Sequence, residues 1–354
     1  MASAKLIATL LIVVVIAGIG GYAWYLQSQP KVLTIRIGYQ PSTHQVAEFI
    51  ISAKGWLVEE AKKLGYDLKV EEYLYPSGPP EMEAFMAGRL DVVYVGAAPV
   101  VNEVGQAKGK GAPLAKIVAA VNTQGSALVV RKDFNYAGPE SLKGATIGTF
   151  PPGSIQDAVL KNWLTSNGLT FGAPGEGKDV TIIAGGPSEL VEALEAGTVD
   201  AIFVPSPAPE ICELRGIGRS VVNSYEMMPG HACCVLAISD KFIKEHRELA
   251  KLIVKLHIKA QKFIKENLDE TIEVAAQRLS KDWGYDLNFT RTVVEKAYKE
   301  NPTALEFPWN PHEIVDSVLK YAEIQYKLKY IPIQLTSDDL FDLNLYDEAV
   351  AEMK

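Results

Sequence analysis

The feature that most restricts this chain is a duplication. Glu83 to Val95 reads EAFMAGRLDVVYV, and Glu192 to Val204 reads EALEAGTVDAIFV, with six of thirteen positions identical. Each copy ends a helical pattern at Ala-Gly, where glycine takes the left-handed cap conformation. An Asp then leads into a β-branched or aromatic run that reads as a buried strand. A second pair, Ile37-Gly38-Tyr39-Gln40-Pro41 and Ile147-Gly148-Thr149-Phe150-Pro151, repeats at an offset of 110. Each member is a strand ending in a Pro-containing loop, followed by a helical pattern. Two halves built this way predict an α/β protein with two open sheets flanked by helices. In such sheets a ligand crevice lies beyond the carboxyl ends of the strands. Two sheets facing each other place four strand-end loops around one cleft.

The strand-like passage Ser126 to Val130 reads as the way out of the first half, and Cys233 to Ile238 as the return. The expected organisation is therefore a first lobe over 31–128 and 233–354, with a second lobe over 129–232 inserted in it. Two crossings make a hinge, the usual basis of closure around a ligand. After the return, Ser239-Asp240 caps one long helix whose apolar positions run from Phe242 to Phe263. The chain is then mostly helical to about Lys329, broken by a loop over Pro302–Pro311.

Residues 1–30 form a separate object. Leu6 to Leu26 is an unbroken run of 21 uncharged residues preceded by Lys5, and about 20 such residues span a hydrocarbon core. A signal-peptide core is shorter, roughly 7–15 residues. The length favours a retained anchor with Trp24 and Tyr25 at the interface; Gly21-Tyr22-Ala23 leaves a cleaved signal as the alternative. Either way, everything after Gln29 is expected outside the cytoplasm, in the periplasm or at the cell surface.

Four loops fall at the expected cleft, each before a helix start. They are Gln40 to His44; Gly96 to Pro99, with Pro99 at the first helical position; Pro151 to Gln156, with Ser154 as an N-cap; and Pro205 to Pro209. Helix N-termini carry unsatisfied N–H groups and partial positive charge, so several aimed at one point hold an anion without Arg or Lys. The expected contacts are Gln40, Ser42, Thr43, His44, Ala97, Thr123, Ser154 and Ser206. His44 serves either as a donor to an oxyanion or as a cap of its own helix. Thr123 lies in the polar segment Asn122 to Ser126 at the lobe crossing, a candidate source of further donors.

The chemistry of catalysis is not legible. Gly172 to Lys178 has the spacing of a phosphate loop, but Asp179 stands where Ser or Thr is required and a strand follows. There is no GxSxG elbow and no HExxH motif. The five histidines show no metal-ligand spacing along the chain. Cys233-Cys234 reads as a pair of structural thiols in an apolar strand, and no CxxC occurs among the three cysteines. Asn288-Phe289-Thr290 matches a glycosylation triplet. A net charge of −8 argues against a nucleic-acid partner, which calls for a basic face. The reading includes no cofactor and no metal, and it is a binding protein instead of an enzyme.

Several passages together resemble a known family. They are Ile37-Gly38-Tyr39-Gln40; Ala84 to Asp91 followed by Gly96-Ala97-Ala98-Pro99; Ser126 to Val130; Leu142 to Gly148; Gly153-Ser154; and Ala193 to Asp200. In this order, over roughly 33–270, the chain resembles the substrate-binding proteins of ABC importers for nitrate, sulfonates and taurine. That group also includes receptors for bicarbonate and thiamine-pyrimidine precursors. The resemblance implies a two-lobed periplasmic-binding-protein fold of the second type, ligand contacts from the four loops, and delivery of a small solute to a permease with its ATPase. The chain departs from the taurine receptors at Val204-Pro205-Ser206-Pro207, where they carry an aromatic wall. A thiamine-pyrimidine-precursor binding protein, or a related enzyme on the same fold, is the alternative.

Overall fold

A computed structural model describes residues 32–110 and 114–353. The apolar run Leu6–Leu26 lies outside the described residues. Among those described, no helix is long and apolar enough to cross a membrane.

Two sheets organise the chain. In the first, β1 (Val32–Tyr39) lies between β2 (Asp67–Leu74) and β3 (Val92–Gly96), parallel to both. Antiparallel β11 (Cys234–Ser239) separates β3 from β4 (Ala115–Ala120). The order is β2-β1-β3-β11-β4. In the second, β6 (Thr146–Thr149) runs parallel to β8 (Val180–Ala184) and β9 (Ala201–Pro205). Antiparallel β5 (Ser126–Arg131) separates β9 from β10 (Gly218–Asn223), and β7 (Phe171–Gly172) forms the far edge. The order β10-β5-β9-β6-β8-β7 repeats that of the first sheet with one extra strand. In each sheet the antiparallel insert, β11 or β5, has just crossed from the other half. The duplicated runs β3 and β9 are buried along their whole length, as strands covered on both faces must be.

The duplication also repeats its chemistry. Gly88 and Gly197 follow their helices at φ 69° and 72°, a conformation that side chains disfavour. Asp91 Oδ2 accepts the Arg36 N–H at 2.9 Å, and Asp200 Oδ2 accepts the Thr146 N–H at 2.9 Å. The same two residues donate their own N–H back to Arg36 and Thr146. Each Asp thus fixes where the first strand of its half starts pairing with the third. That register puts the loops after the two first strands at equivalent places.

The two crossings pair with each other. Cys233 N donates to Asn122 O at 2.9 Å and Gln124 N to His231 O at 3.0 Å. A third segment clamps them: Thr123 N donates to Glu306 O at 3.0 Å and Gly125 N to Thr303 O at 3.2 Å. The polar stretch Asn122 to Ser126 is therefore taken up largely by the crossing. Thr123 joins backbone bridges to Ala232 and Glu306.

Past β11 the expected single helix is two, Asp240–Glu245 and Arg247–Glu266. His246, at φ −138° and ψ 49°, breaks it without any Gly or Pro to mark the place. The helices Arg247–Glu266 and Leu268–Trp283 pack on Val46–Ala53 of the first half. Arg278 secures them, with its guanidinium 4.2 Å above the Tyr39 ring and 2.8 Å from Glu72. Helix Val315–Lys327 packs against both Ala97–Ala107 and Ile155–Ser166. Its buried Gln325 donates from one amide nitrogen to Ala98 O at 2.8 Å and to Gly153 O at 3.4 Å, so the tail touches both halves.

Candidate functional site

The loops after β1, β2, β3, β6 and β9 converge on one cavity between the two sheets. It is lined by residues that include Gln40, Ser42, His44, Phe150, Ser154 and Gln156, and little space is left inside it. Among the described residues, no Lys or Arg lines it.

Two serines hold matching places. Ser42 follows β1, and its Oγ accepts the His44 N–H at 3.0 Å; Ser154 follows β6, and its Oγ accepts the Asp157 N–H at 3.1 Å. A hydroxyl that accepts from its own helix start keeps its O–H free to donate elsewhere. Ser154 caps the helix Ile155–Ser166 as expected. Asp157 N and Ala158 N bond back to Ser154. The N–H groups of Ile155 and Gln156 have no partner among the described hydrogen bonds and carry the positive end of that helix. From the first half, Gln40 donates from Nε2 to Glu81 Oε2 at 2.8 Å, which fixes its amide and leaves one N–H and the carbonyl free.

The other expected contacts are engaged elsewhere. Ala97 is the first helical residue, two positions before the expected Pro99, and its N–H donates to Cys233 O at 2.7 Å. Ser206 donates its N–H to Gly125 O at 2.9 Å and its hydroxyl to Glu210 Oε2 at 2.9 Å. Thr43 is fully buried, and its carbonyl accepts the Tyr298 hydroxyl at 2.7 Å. His44 lines the cavity but neither caps its helix through the ring nor has an N–H to offer a solute. Its Nε2 is 2.8 Å from Gly125 O, and Nδ1 faces Cys233 Sγ at 3.4 Å. Of the eight expected contacts, Gln40, Ser42, His44 and Ser154 meet at the cavity, and the other four do not line it.

Sequence reasoning missed Phe150, Gln156, Gly78 and the two cysteines, all of which line the cavity. Gln156 was open to detection, being the second residue of a helix whose start was already singled out. Gly78 was not: a Cβ there would stand 2.3 Å from Pro99, a contact across two helix starts that no local pattern reveals.

Two buried acids back the site. Burial pushes the Glu210 carboxyl up to about 7 and raises Glu81 well above the usual carboxylate range. Each holds a side chain of a cleft loop, Ser206 and Gln40 respectively, and each keeps one oxygen without a partner. Protonated, they add no negative charge beside a bound anion.

Comparison with known proteins agrees with this geometry. The family model described as the NMT1-like family matches residues 28–280. A putative aliphatic sulfonates-binding protein of Bacillus subtilis is 26% identical over 321 residues, 90% of this chain and 88% of that one. A putative ABC transporter periplasmic binding protein of Brachyspira hyodysenteriae is 25% identical over 286 residues, 76% of this chain and 75% of that one. Among solved structures, the periplasmic nitrate-binding protein NrtA from Synechocystis superposes with a TM-score of 0.74 at 16% identity, covering 92% of this chain and 90% of that one. The match in sequence, together with the shared two-sheet fold, places this chain in the NMT1-like family.

Proposed function

We propose that the chain is the extracytoplasmic receptor of an ABC importer. It closes on a compact oxyanion of the sulfonate or nitrate type and presents it to a permease driven by an ATPase. The observation that carries this reading is the pair Ser42 and Ser154. Two hydroxyls, one from each half and each with its donor free, line one small cavity that has no cationic side chain among the described residues. Neutral donors and a helix N-terminus hold an anion well where water is excluded, because each bond is stronger at low dielectric. The relatives named above are a putative sulfonates-binding and a nitrate-binding protein, which supports this reading over a thiamine-pyrimidine-precursor receptor or an enzyme.

The lobes in this reading are 31–128 with 233–354, and 129–232, with the first crossing moved ahead of Ser126 because Ser126–Arg131 pairs within the second sheet. They hinge at the paired crossings around Thr123 and Ala232. The run Leu6–Leu26 anchors the receptor in the membrane or exports it. The test is calorimetric titration of the full chain with alkanesulfonates, nitrate, bicarbonate and an aminopyrimidine. Saturable binding of one oxyanion class, weakened in S42A and in S154A, is expected. Binding of the pyrimidine alone, or oxyanion binding indifferent to both substitutions, would overturn the proposal.

A further inference from the structure

The cleft wall also carries a chemistry that the solute reading does not use. His44 stands at the end of the first loop, and Cys233 and Cys234 stand where the chain returns to the first sheet, 189 and 190 residues away. All three side chains are buried and line the cavity, and neither cysteine is in a disulfide. The Gly125 carbonyl oxygen, 2.8 Å from His44 Nε2, can only accept. Nε2 therefore carries the ring proton, and Nδ1 keeps its lone pair. That lone pair faces two sulfurs, Cys233 Sγ at 3.4 Å and Cys234 Sγ at 4.0 Å. The three ligand atoms lie within 4.8 Å of one another.

These spacings match a coordination sphere. Zinc-like ions take thiolate sulfur at about 2.3 Å and imidazole nitrogen at about 2.0 Å in a tetrahedron, which separates the sulfur from the nitrogen by about 3.5 Å. The two sulfur–nitrogen distances, 3.4 and 4.0 Å, need only small adjustments to reach that value. The ring is also held as metal-binding imidazoles are, by a carbonyl on its far nitrogen. Gly125 is built for this approach: its φ is 90°, and a Cβ there would stand 2.4 Å from His44 Nε2.

We propose that His44 Nδ1, Cys233 Sγ and Cys234 Sγ form a three-ligand site for a thiophilic d10 cation, Zn²⁺ or Cu⁺, with its fourth position facing the solute cavity. Imidazole and thiolate are the donors such ions select. Binding releases the two thiol protons to solvent. Held by two thiolates and a neutral imidazole, Zn²⁺ leaves the net charge of the cavity unchanged, and its open position accepts an oxygen of an anionic solute as a Lewis acid does. The location rests on the reading of this cavity as the ligand cleft; the coordination does not.

The test titrates the reduced full chain, kept anaerobic, with Co²⁺ as the spectroscopic probe and then with Zn²⁺. One Co²⁺ per chain is expected, with a thiolate-to-cobalt charge-transfer band and the intense ligand-field bands of a tetrahedral ion, all erased by Zn²⁺. C233S and C234S each weaken Co²⁺ binding by at least the roughly 10–100-fold that outer-shell changes cost, while circular dichroism stays unchanged. C212S, which alters a buried thiol in the second half, leaves the band intact. Absence of the charge-transfer band in the unmodified chain overturns the proposal, as does a band that survives in the C233S/C234S double variant. A chain that binds an oxyanion without metal and shows no band loses only this inference. One that takes Co²⁺ at these residues but binds no oxyanion loses only the receptor reading.

Discussion

The two halves are the same scaffold with different faces toward the cleft. Below the strand ends they coincide: Asp91 and Asp200 make the same bond, and Gly88 and Gly197 take the same turn. Above the strand ends they diverge. The second half offers a capped twelve-residue helix, Ile155–Ser166, whose first two residues line the cavity. The first half offers instead a short turn at Thr43–Gln45 before its helix, with an imidazole and two thiols beside it. Duplication preserved what sets register, and the chemistry changed only where the loops leave the sheet.

The largest test of that contrast is the pair of buried acids. Glu210, usually near 4.5, is pushed up to about 7 by burial. Below 4.5 both the folded and the unfolded chain hold this proton, and its contribution to stability is fully present. As pH rises toward 7 the unfolded chain ionises first, so stability falls by about 3 kcal/mol across that window. Urea unfolding of E210Q should lack this slope relative to the parent chain. An identical slope in both chains breaks the assignment. E81Q should remove a slope of the same sign in the first half.

Next come the paired aspartates. D91A and D200A each remove a charge-assisted bond to a strand N–H and should cost about 2 kcal/mol. Equal losses in denaturant midpoint support equivalent roles, and a loss confined to one half contradicts them.

Glycine 38 and glycine 148 sharpen the comparison further. A Cβ on Gly148 would meet Leu190 Cδ2 at 2.6 Å, whereas one on Gly38 would meet both Leu90 Cδ1 and Glu81 Oε1 at 2.8 Å. Overpacking of this kind should cost about 1.5 kcal/mol in G148A. G38A should cost more and also weaken ligand binding, because Glu81 holds Gln40.

The smallest effect expected is on affinity. S42A and S154A each lose one donor, about 1 kcal/mol or roughly five-fold in Kd by calorimetry. S154A should lower stability more than S42A, since its oxygen caps a twelve-residue helix and that of Ser42 a three-residue turn.

Much of the scaffold was legible because it is local. Ala-Gly-x-x-Asp followed by a β-branched run fixes a helix end, a register bond and a buried strand within a dozen residues, and it does so twice. The cap at Ser154 was legible for the same reason. What escaped notice depends on partners far apart in the chain. Ala97 begins its helix early because the Cys233 carbonyl takes its N–H. Thr123 and the Ser206 N–H looked free because nothing near them announces Glu306 or Gly125, although Glu210, four residues past Ser206, was within local reach. His44 has no ligand-spaced neighbour in sequence, yet the crossing brings two sulfurs to its ring.

Gln325 carries a mechanical consequence. A single amide nitrogen spans the Ala98 carbonyl on one side of the gap and the Gly153 carbonyl on the other, which makes it a caliper. The jaws cannot part by even an ångström or two at these helix starts without unhooking one tip. In the proposed receptor, opening of the cleft would therefore cost the tail one of its two tips.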